Sequence, residues 1–403
     1  MELKFPLLLD GATGTQLQKR GFGPGQCAEA WVLEHPEAIA EVQSRYAALG
    51  SQVVYAPTFG ANRVNLEEHG IFGKVEEYNR RLVSISRQAV EGRALVAGDL
   101  SPTGKFLYPL GDMTFGELVE VYTQQAAALE AGGVDLFVIE TMMTLSDARA
   151  ALLAVKKVSR KPVLVTFTCD ERGKTVSGVD AAAALVVMQA MGADAFGLNC
   201  SAGPREMLTN LRRLRPWTQV PLIAKPNAGL PEMVDGRAVY NCPPEEFVSV
   251  LPQMAACGVC IFGGCCGTEE GHVEALAGAL KQFALTPPQP EHEGMLVCAS
   301  EKAAFALPPD TAVGPALACT AELEERLSDG APETPVNLRI ETEEDLQWLA
   351  DCQYLLTGPT CFTCRDGAVL EQALLLYQGR ALYEGPLPAS VLEPLAQKYG
   401  LIY

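Results

Sequence analysis

The sequence predicts an α/β chain: a (β/α)8 barrel over residues 1–285, a linker over 286–293 and a small α/β domain over 294–403. Two observations predict the barrel. Eight short apolar runs alternate with amphipathic ones through the first 285 residues. The apolar runs also lack the in-and-out polarity of a half-exposed sheet, as strands covered on both faces do. The total length of 403 residues then leaves room for a second, smaller unit. An open doubly wound sheet is the alternative reading of the same alternation.

Taken in order, the strand candidates are 6–10, 52–57, 94–100, 134–140, 162–168, 194–199, 220–226 and 259–264, each rich in Val, Ile, Leu and Phe. Helical spacing places Phe115, Leu118, Tyr122, Ala126 and Leu129 on one face of 114–131, with Thr114 and Glu117 as a capping box and Gly132-Gly133 as a stop. Further helices fit 37–49, 75–91, 147–159, 180–191, 205–214, 245–256 and 269–283. Eight such pairs match the usual span of the TIM-barrel architecture. Proline and charge replace the apolar rhythm at 286–293. Beyond it, strands are expected at 295–298, 336–340, 354–357 and 381–383, and helices at 343–351, 368–377 and 390–399.

A net charge of −18 excludes nucleic-acid and anionic-membrane binding from the leading readings. The opening residues show no basic-then-apolar leader, and no apolar stretch has the length of a membrane span. With thirteen cysteines in that setting, a reducing, cytoplasmic location is expected, where cysteines pack or bind metal.

In a barrel, chemistry belongs where the strands end and the following loops begin. Asp10-Gly11, Thr58, Asp99, Glu140-Thr141, Asn199-Cys200, Lys225, Asn227 and Cys265-Cys266 all fall there. The adjacent pair Cys265 and Cys266, flanked by Gly263, Gly264 and Gly267, cannot readily bridge to itself and reads as two metal ligands. Cys200, at the end of the sixth strand, qualifies as the third, giving a three-cysteine zinc site with an open fourth position. A rival site would draw on Cys257, Cys260, Cys265 and Cys266; loss of zinc on mutating Cys200 separates the two. Cys169 and Cys260 taken singly read as core residues. Lys225 at a strand end admits a Schiff-base reading if burial lowers its pKa, and otherwise serves as a charge partner.

Five stretches, 7–15, 57–61, 98–104, 197–201 and 263–268, together resemble the homocysteine S-methyltransferase domain, in register over about residues 1–285. That resemblance implies a zinc barrel that methylates the thiol of homocysteine to give methionine. It carries the catalytic and metal role to Cys200, Cys265 and Cys266, and substrate contact to Asp10, Gly11, Thr58, Glu140, Asn199 and Asn227. Glu140 is the expected ammonium partner and the Gly11 loop the expected source of amides for the carboxylate. A helix beginning at Thr268 is expected to aim its amides at Cys265 and Cys266.

Gly98 to Gly104 and Tyr108 to Gly111 are most similar to the cobalamin-dependent methionine synthase type. Methylcobalamin is the expected donor, presented in trans by a separate corrinoid protein, with a methyltetrahydrofolate-binding protein as a further partner. The residues after 285 are too few for a folate-binding barrel, and no Asp-x-His-x-x-Gly occurs. S-methylmethionine or betaine as donor, or a non-catalytic barrel that binds thiols or a partner, are the alternatives. Cys361 and Cys364, with Cys352 nearby, read as structural cysteines, with metal or redox use as the other reading. Docking of the corrinoid partner or a second subunit is one expected use of 294–403.

Overall fold

A computed structural model describes residues 3–234, 237–320, 322–328 and 334–403. Eight strands form one parallel sheet: β1 (Leu7–Leu8), β2 (Val53–Tyr55), β3 (Leu95–Leu100), β4 (Leu136–Met142), β5 (Val163–Phe167), β6 (Ala195–Asn199), β7 (Leu222–Lys225) and β8 (Val259–Phe262). Their order, β1-β8-β7-β6-β5-β4-β3-β2, leaves a single seam between β1 and β2. Side chains and one backbone bond hold it. The Gln52 amide donates to the Leu8 carbonyl at 2.7 Å, and its Oε1 accepts from the Leu8 amide at 2.8 Å. The Tyr55 amide donates to the Asp10 carboxylate at 2.8 Å. The sheet is a nearly closed barrel, and the open-sheet alternative falls away.

Strand alternation explains the unbroken apolar runs. Leu9, Ala97, Val138, Leu164, Ile223 and Ile261 fill the lumen as one cluster. Their neighbours Leu8, Val96, Phe137, Val165, Leu222 and Phe262 point the other way, under the helices. Both sets are buried, so neither position tolerates a polar residue.

The helix Phe115–Gly132 carries the expected capping box from Thr114 and Glu117 and ends on Gly133 at φ 80°. The run expected at 245–256 divides into Pro244–Val248 and Leu251–Ala256. Pro252 has no amide to return to Val248, which interrupts the ladder. Three short helices, Gly14–Lys19, Ala28–Glu34 and Arg63–Glu68, and a hairpin pairing Glu232–Val234 with Arg237–Val239 were not expected. They are too short to show a period, and all sit in loops that follow strands.

After the barrel, β9 (Leu296–Ala299) pairs antiparallel with β10 (Ala304–Leu307). Then β11 (Leu317–Ala318), β12 (Val336–Arg339), β13 (Thr360–Thr363) and β14 (Leu382–Tyr383) form a parallel sheet in sequential order. The strand expected at 354–357 is instead a 3-10 turn, Gln353–Leu355, and the strand begins after Gly358-Pro359. The β-branched and aromatic run Thr360–Thr363, rather than the Leu-rich one before the proline, pairs with β12. Cys361 and Cys364 are both fully buried, in different apolar clusters. Among the described residues they join no cluster of three or more metal-ligating side chains.

Arg149 fastens this sheet to the barrel. It lies on the barrel helix Leu145–Val158, is 1% exposed, and donates to the carbonyls of Leu374 (2.6 Å) and Leu375 (3.3 Å) and to Gln378 Oε1 (2.9 Å). Leu374 and Leu375 end the helix Gly367–Leu376, where carbonyls lack intrahelical donors and the dipole is negative. Burial with no carboxylate hydrogen-bonded to it lowers the guanidinium to about 10. The Asp180 amide donates to the Glu301 carbonyl at 2.9 Å and Lys174 Nζ to the Lys302 carbonyl at 2.8 Å, extending the junction to the loop after β5. No helix among the described residues is long and apolar enough to cross a membrane. Replacing Arg149 with Met strands buried carbonyls, and urea denaturation should show a loss of about 2–4 kcal/mol; an unchanged midpoint would refute the fastening role.

Candidate functional site

Cys200 follows β6 and Cys265-Cys266 follow β8, so β7 stands between them. The tail of β7 joins them. The Cys200 amide donates to the Lys225 carbonyl at 3.1 Å, and the Cys265 amide to the Pro226 carbonyl at 2.8 Å. The Ala228 amide donates to the Cys266 carbonyl at 2.9 Å, and the Asn227 amide to the Ala202 carbonyl at 2.9 Å. With both loops tied to one segment, the three Sγ atoms all lie within 4.8 Å of one another. Cys200 Sγ and Cys266 Sγ are 3.9 Å apart.

Local sequence makes this convergence feasible. Cys200 and Ser201 take left-handed backbone, at φ 58° and 52°, which turns the chain sharply off the end of β6. A Cβ on Gly264 would stand 2.4 Å from Thr268 Oγ1, the hydroxyl that accepts from the Ala12 amide and donates to the Cys265 carbonyl. Gly267, at φ 78°, has the Tyr240 ring 2.3 Å from where a Cβ would sit. The next helix begins at Glu270, not Thr268, and the Glu269 side chain caps its first turn, so the expected help of helix amides to the thiols is displaced.

Hydrogen bonds from Cys265 and Cys266 hold the Cys200 thiol down at about 3. The same bonding with Cys200 drives Cys265 well above its ordinary value and Cys266 to about 11. The three thiols thus form one hydrogen-bonded cluster in which Cys200 is pushed down and its two neighbours up. The Asn227 side chain also hydrogen-bonds Cys200, and the Tyr240 side chain Cys266.

Beneath the sulfurs, the topmost inward side chains of the barrel are polar. Lys225 Nζ pairs with Asp10 Oδ1 at 3.0 Å and rests 3.6 Å from the centre of the Tyr55 ring. Burial alone would lower this ammonium, but Asp10, with Tyr55 and Glu140, more than reverses that and raises it well above its ordinary value. Burial pushes Glu140 up to about 7 against the pull of Lys225. Asn199 Nδ2 donates to Thr141 Oγ1 at 2.7 Å and Glu140 Oε2 at 3.3 Å, and approaches Cys265 Sγ at 3.9 Å. Its Oδ1 accepts from the Thr141 amide at 3.0 Å.

The sequence model of the homocysteine S-methyltransferase family matches residues 7–280. The chain belongs to the homocysteine S-methyltransferase family. Among its relatives, the methionine synthases of Mycobacterium leprae and Mycobacterium tuberculosis are 32% and 30% identical over 289 residues, which is 67% of this chain and 24% of each relative. This member thus spans about a quarter of their length. The homocysteine methyltransferase MmuM from Escherichia coli, in its metallated form, shares the fold with a TM-score of 0.58 and 24% identity, over 68% of this chain and 95% of that one.

The sequence-expected residues of this homocysteine S-methyltransferase family member divide into two groups. Cys200, Cys265, Cys266, Glu140, Asn199, Asn227 and the Gly11 backbone gather at the mouth. Asp10 and Thr58 lie at the ends of β1 and β2 and have scaffold partners of their own. Both Asp10 oxygens are engaged, by the Tyr55 amide and by Lys225. The Thr58 hydroxyl is fully buried between the carbonyl (2.9 Å) and amide (3.1 Å) of Asp99. The scaffold thus holds both side chains, buried, beneath the mouth of the site. Gly11 has no room for a side chain, since a Cβ would stand 2.8 Å from the Tyr46 ring.

Among the described residues, Cys257 and Cys260 join no metal-sized cluster. Cys260 lies in the lumen cluster, raised by burial to about 11, and Cys169 is buried. Lys225 is an ion-pair partner, with its charge fixed rather than lost, which removes the Schiff-base reading. One contributor had no local signal in the sequence: Tyr240, which arrives from beyond the hairpin; Asp99, expected only as a polar strand end, proves to be a neighbour of Glu140. Replacing Lys225 with Met leaves Asp10 buried and unpaired; denaturation should report a loss of about 3–5 kcal/mol, and a variant as stable as the parent would contradict the pairing.

Proposed function

We propose that this chain is a zinc-dependent homocysteine S-methyltransferase that forms methionine, its methyl group drawn from a methylated corrinoid on a separate protein. One observation carries the reading: three thiols from two loops lie within 4.8 Å of one another at the loop-bearing end of the barrel. Three cysteine sulfurs with a position left open suit a catalytic zinc, whereas a structural site would be closed by a fourth side chain. Each of the three is partly exposed, as an open site requires.

Cys200, Cys265 and Cys266 would hold the ion. Bound there, zinc supplies the Lewis acidity that keeps a substrate thiol ionised near neutral pH. The protein's own groups set the geometry. Asn227 and Tyr240 support Cys200 and Cys266 from outside the cluster, as donors behind metal ligands do. Glu140 accepts from the substrate ammonium, its orientation fixed by Asn199. The Gly11 amide, which has no acceptor among the described residues, faces the role of carboxylate donor.

The corrinoid donor is supported by the identity to methionine synthases and by the 98–104 and 108–111 stretches. The corrinoid is proposed to be held outside these 403 residues, which carry no Asp-x-His-x-x-Gly. A methyltetrahydrofolate-binding protein would recharge that partner.

Metal analysis of the purified protein should find about one zinc per chain, lost in Cys200→Ser and kept in Cys260→Ser. Homocysteine should then yield methionine with methylcobalamin in preference to S-methylmethionine or betaine. Zinc retained in Cys200→Ser, or no methionine from any donor, defeats the proposal; turnover with S-methylmethionine or betaine alone defeats its corrinoid part.

A further inference from the structure

A cavity of about 280 Å³ opens on the flank of the barrel where it meets the C-terminal unit. Its apolar wall is made by Ala181, Ala182 and Leu214 from the barrel helices and by Ala303 and Ala304 at the start of β10. Trp217 closes one side, and Arg172 and Arg213 line another. The volume lies near the lower end of the range for small-molecule sites, which favour junctions of this kind.

Both sides of the cavity are fixed in place. Lys174 Nζ and the Asp180 amide tie the barrel to the carbonyls of Lys302 and Glu301, next to Ala303. Gln189 Nε2 donates to the Trp217 carbonyl at 2.9 Å, and the indole packs on His292 with ring centres 4.5 Å apart. Asn210, 4% exposed, donates to the Asp170 carbonyl at 2.8 Å and accepts from Arg213 at 3.5 Å. Arg213 also donates to the Glu171 carbonyl at 3.4 Å. Gly173, at φ 77°, lets the loop pass close beneath: a Cβ there would stand 3.5 Å from Arg213 Nη1.

Charge is unevenly matched around this space, in a chain of net charge −18. Arg172 reaches Asp170 at 3.3 Å. Among the described residues no carboxylate pairs with Arg213, whose partners are a carbonyl and an amide oxygen. Asp180, the acid in the cavity wall, is already engaged: Oδ1 accepts from the amides of Ala182 and Ala183, and Oδ2 pairs with Lys174 at 3.0 Å. A guanidinium held without a counter-ion recognises a carboxylate or phosphate. Beside it, an indole and four alanines offer a flat, apolar slot.

We propose that this cavity binds a small anion carried on a single aromatic ring, with the carboxylate or phosphate on Arg213 and Arg172 and the ring between Trp217 and the alanines. Homocysteine has no ring, so the occupant is a different molecule from the thiol substrate. Because the walls come from both units, the bound ligand holds the C-terminal unit against the barrel and stabilises the whole chain.

The test is calorimetry on the full chain with benzoate and phenyl phosphate as probes, and with acetate, inorganic phosphate and phenol as their separate parts. One probe or the other should bind at a single site, about tenfold or more tighter than either of its parts, and which of them binds distinguishes a carboxylate from a phosphate ligand. It should also raise the melting temperature. Arg213→Gln, at an exposed position, should weaken that probe about tenfold and remove the thermal shift. Ala182→Phe, which fills the cavity, should abolish binding. The inference is overturned if neither probe binds at millimolar concentration, if the parts bind as tightly as the whole, or if Arg213→Gln keeps full affinity. Binding retained by folded Ala182→Phe overturns it too, and should that variant not fold, Arg213→Gln alone decides.

Discussion

The site depends on one constraint: loops from strands that are not neighbours must be held to a common point. Adjacent strands lie about 4.8 Å apart, so β6 and β8 are separated by roughly twice that. Side chains leaving both strands straight would not meet. The tail of β7, Lys225 to Ala228, removes the gap by bonding to the backbone of both loops. Its proline ends the strand while leaving the carbonyl free to accept from Cys265. The left-handed turn at Cys200 and Ser201 performs the matching bend on the other side.

The same segment also anchors the floor. Lys225 contributes its carbonyl to Cys200 and its ammonium to Asp10, whose own backbone carbonyl accepts from Gly264 at 2.9 Å. Along each strand the change from packing to chemistry takes a single two-residue step: Ala97 to Asp99, Val138 to Glu140, Gly197 to Asn199, Ile223 to Lys225. Apolar side chains below exclude water, and that exclusion makes every charge above expensive unless it is paired. Pairing is complete for Asp10 and Lys225 and incomplete for Asp99 and Glu140.

Much of this was legible in the sequence. The barrel strands show as uniformly apolar runs because both faces are covered. The cysteine set shows because adjacent cysteines between glycines have few structural uses, and because barrel topology restricts where a third can lie. The partners of Asp10 and Thr58 were not legible, because a strand-end polar residue looks the same whether it meets a ligand or a neighbouring backbone. Tyr240 was invisible, since its approach depends on the path of a hairpin too short to carry a pattern. The β13 strand was misplaced because hydrophobicity alone favours Tyr354–Thr357, whereas Gly358-Pro359 and the register against β12 select the next four residues.

The junction at Arg149 bears on how anything reaches the thiols. The loop after β5 belongs to the rim of the mouth, through the contact of Thr168 with Ser201, and it is also tied to residues 301 and 302 beyond the barrel. That flank is therefore braced from outside the barrel by the turn between β9 and β10. The entrance is thus asymmetric, buttressed beside β5 by chain from outside the barrel.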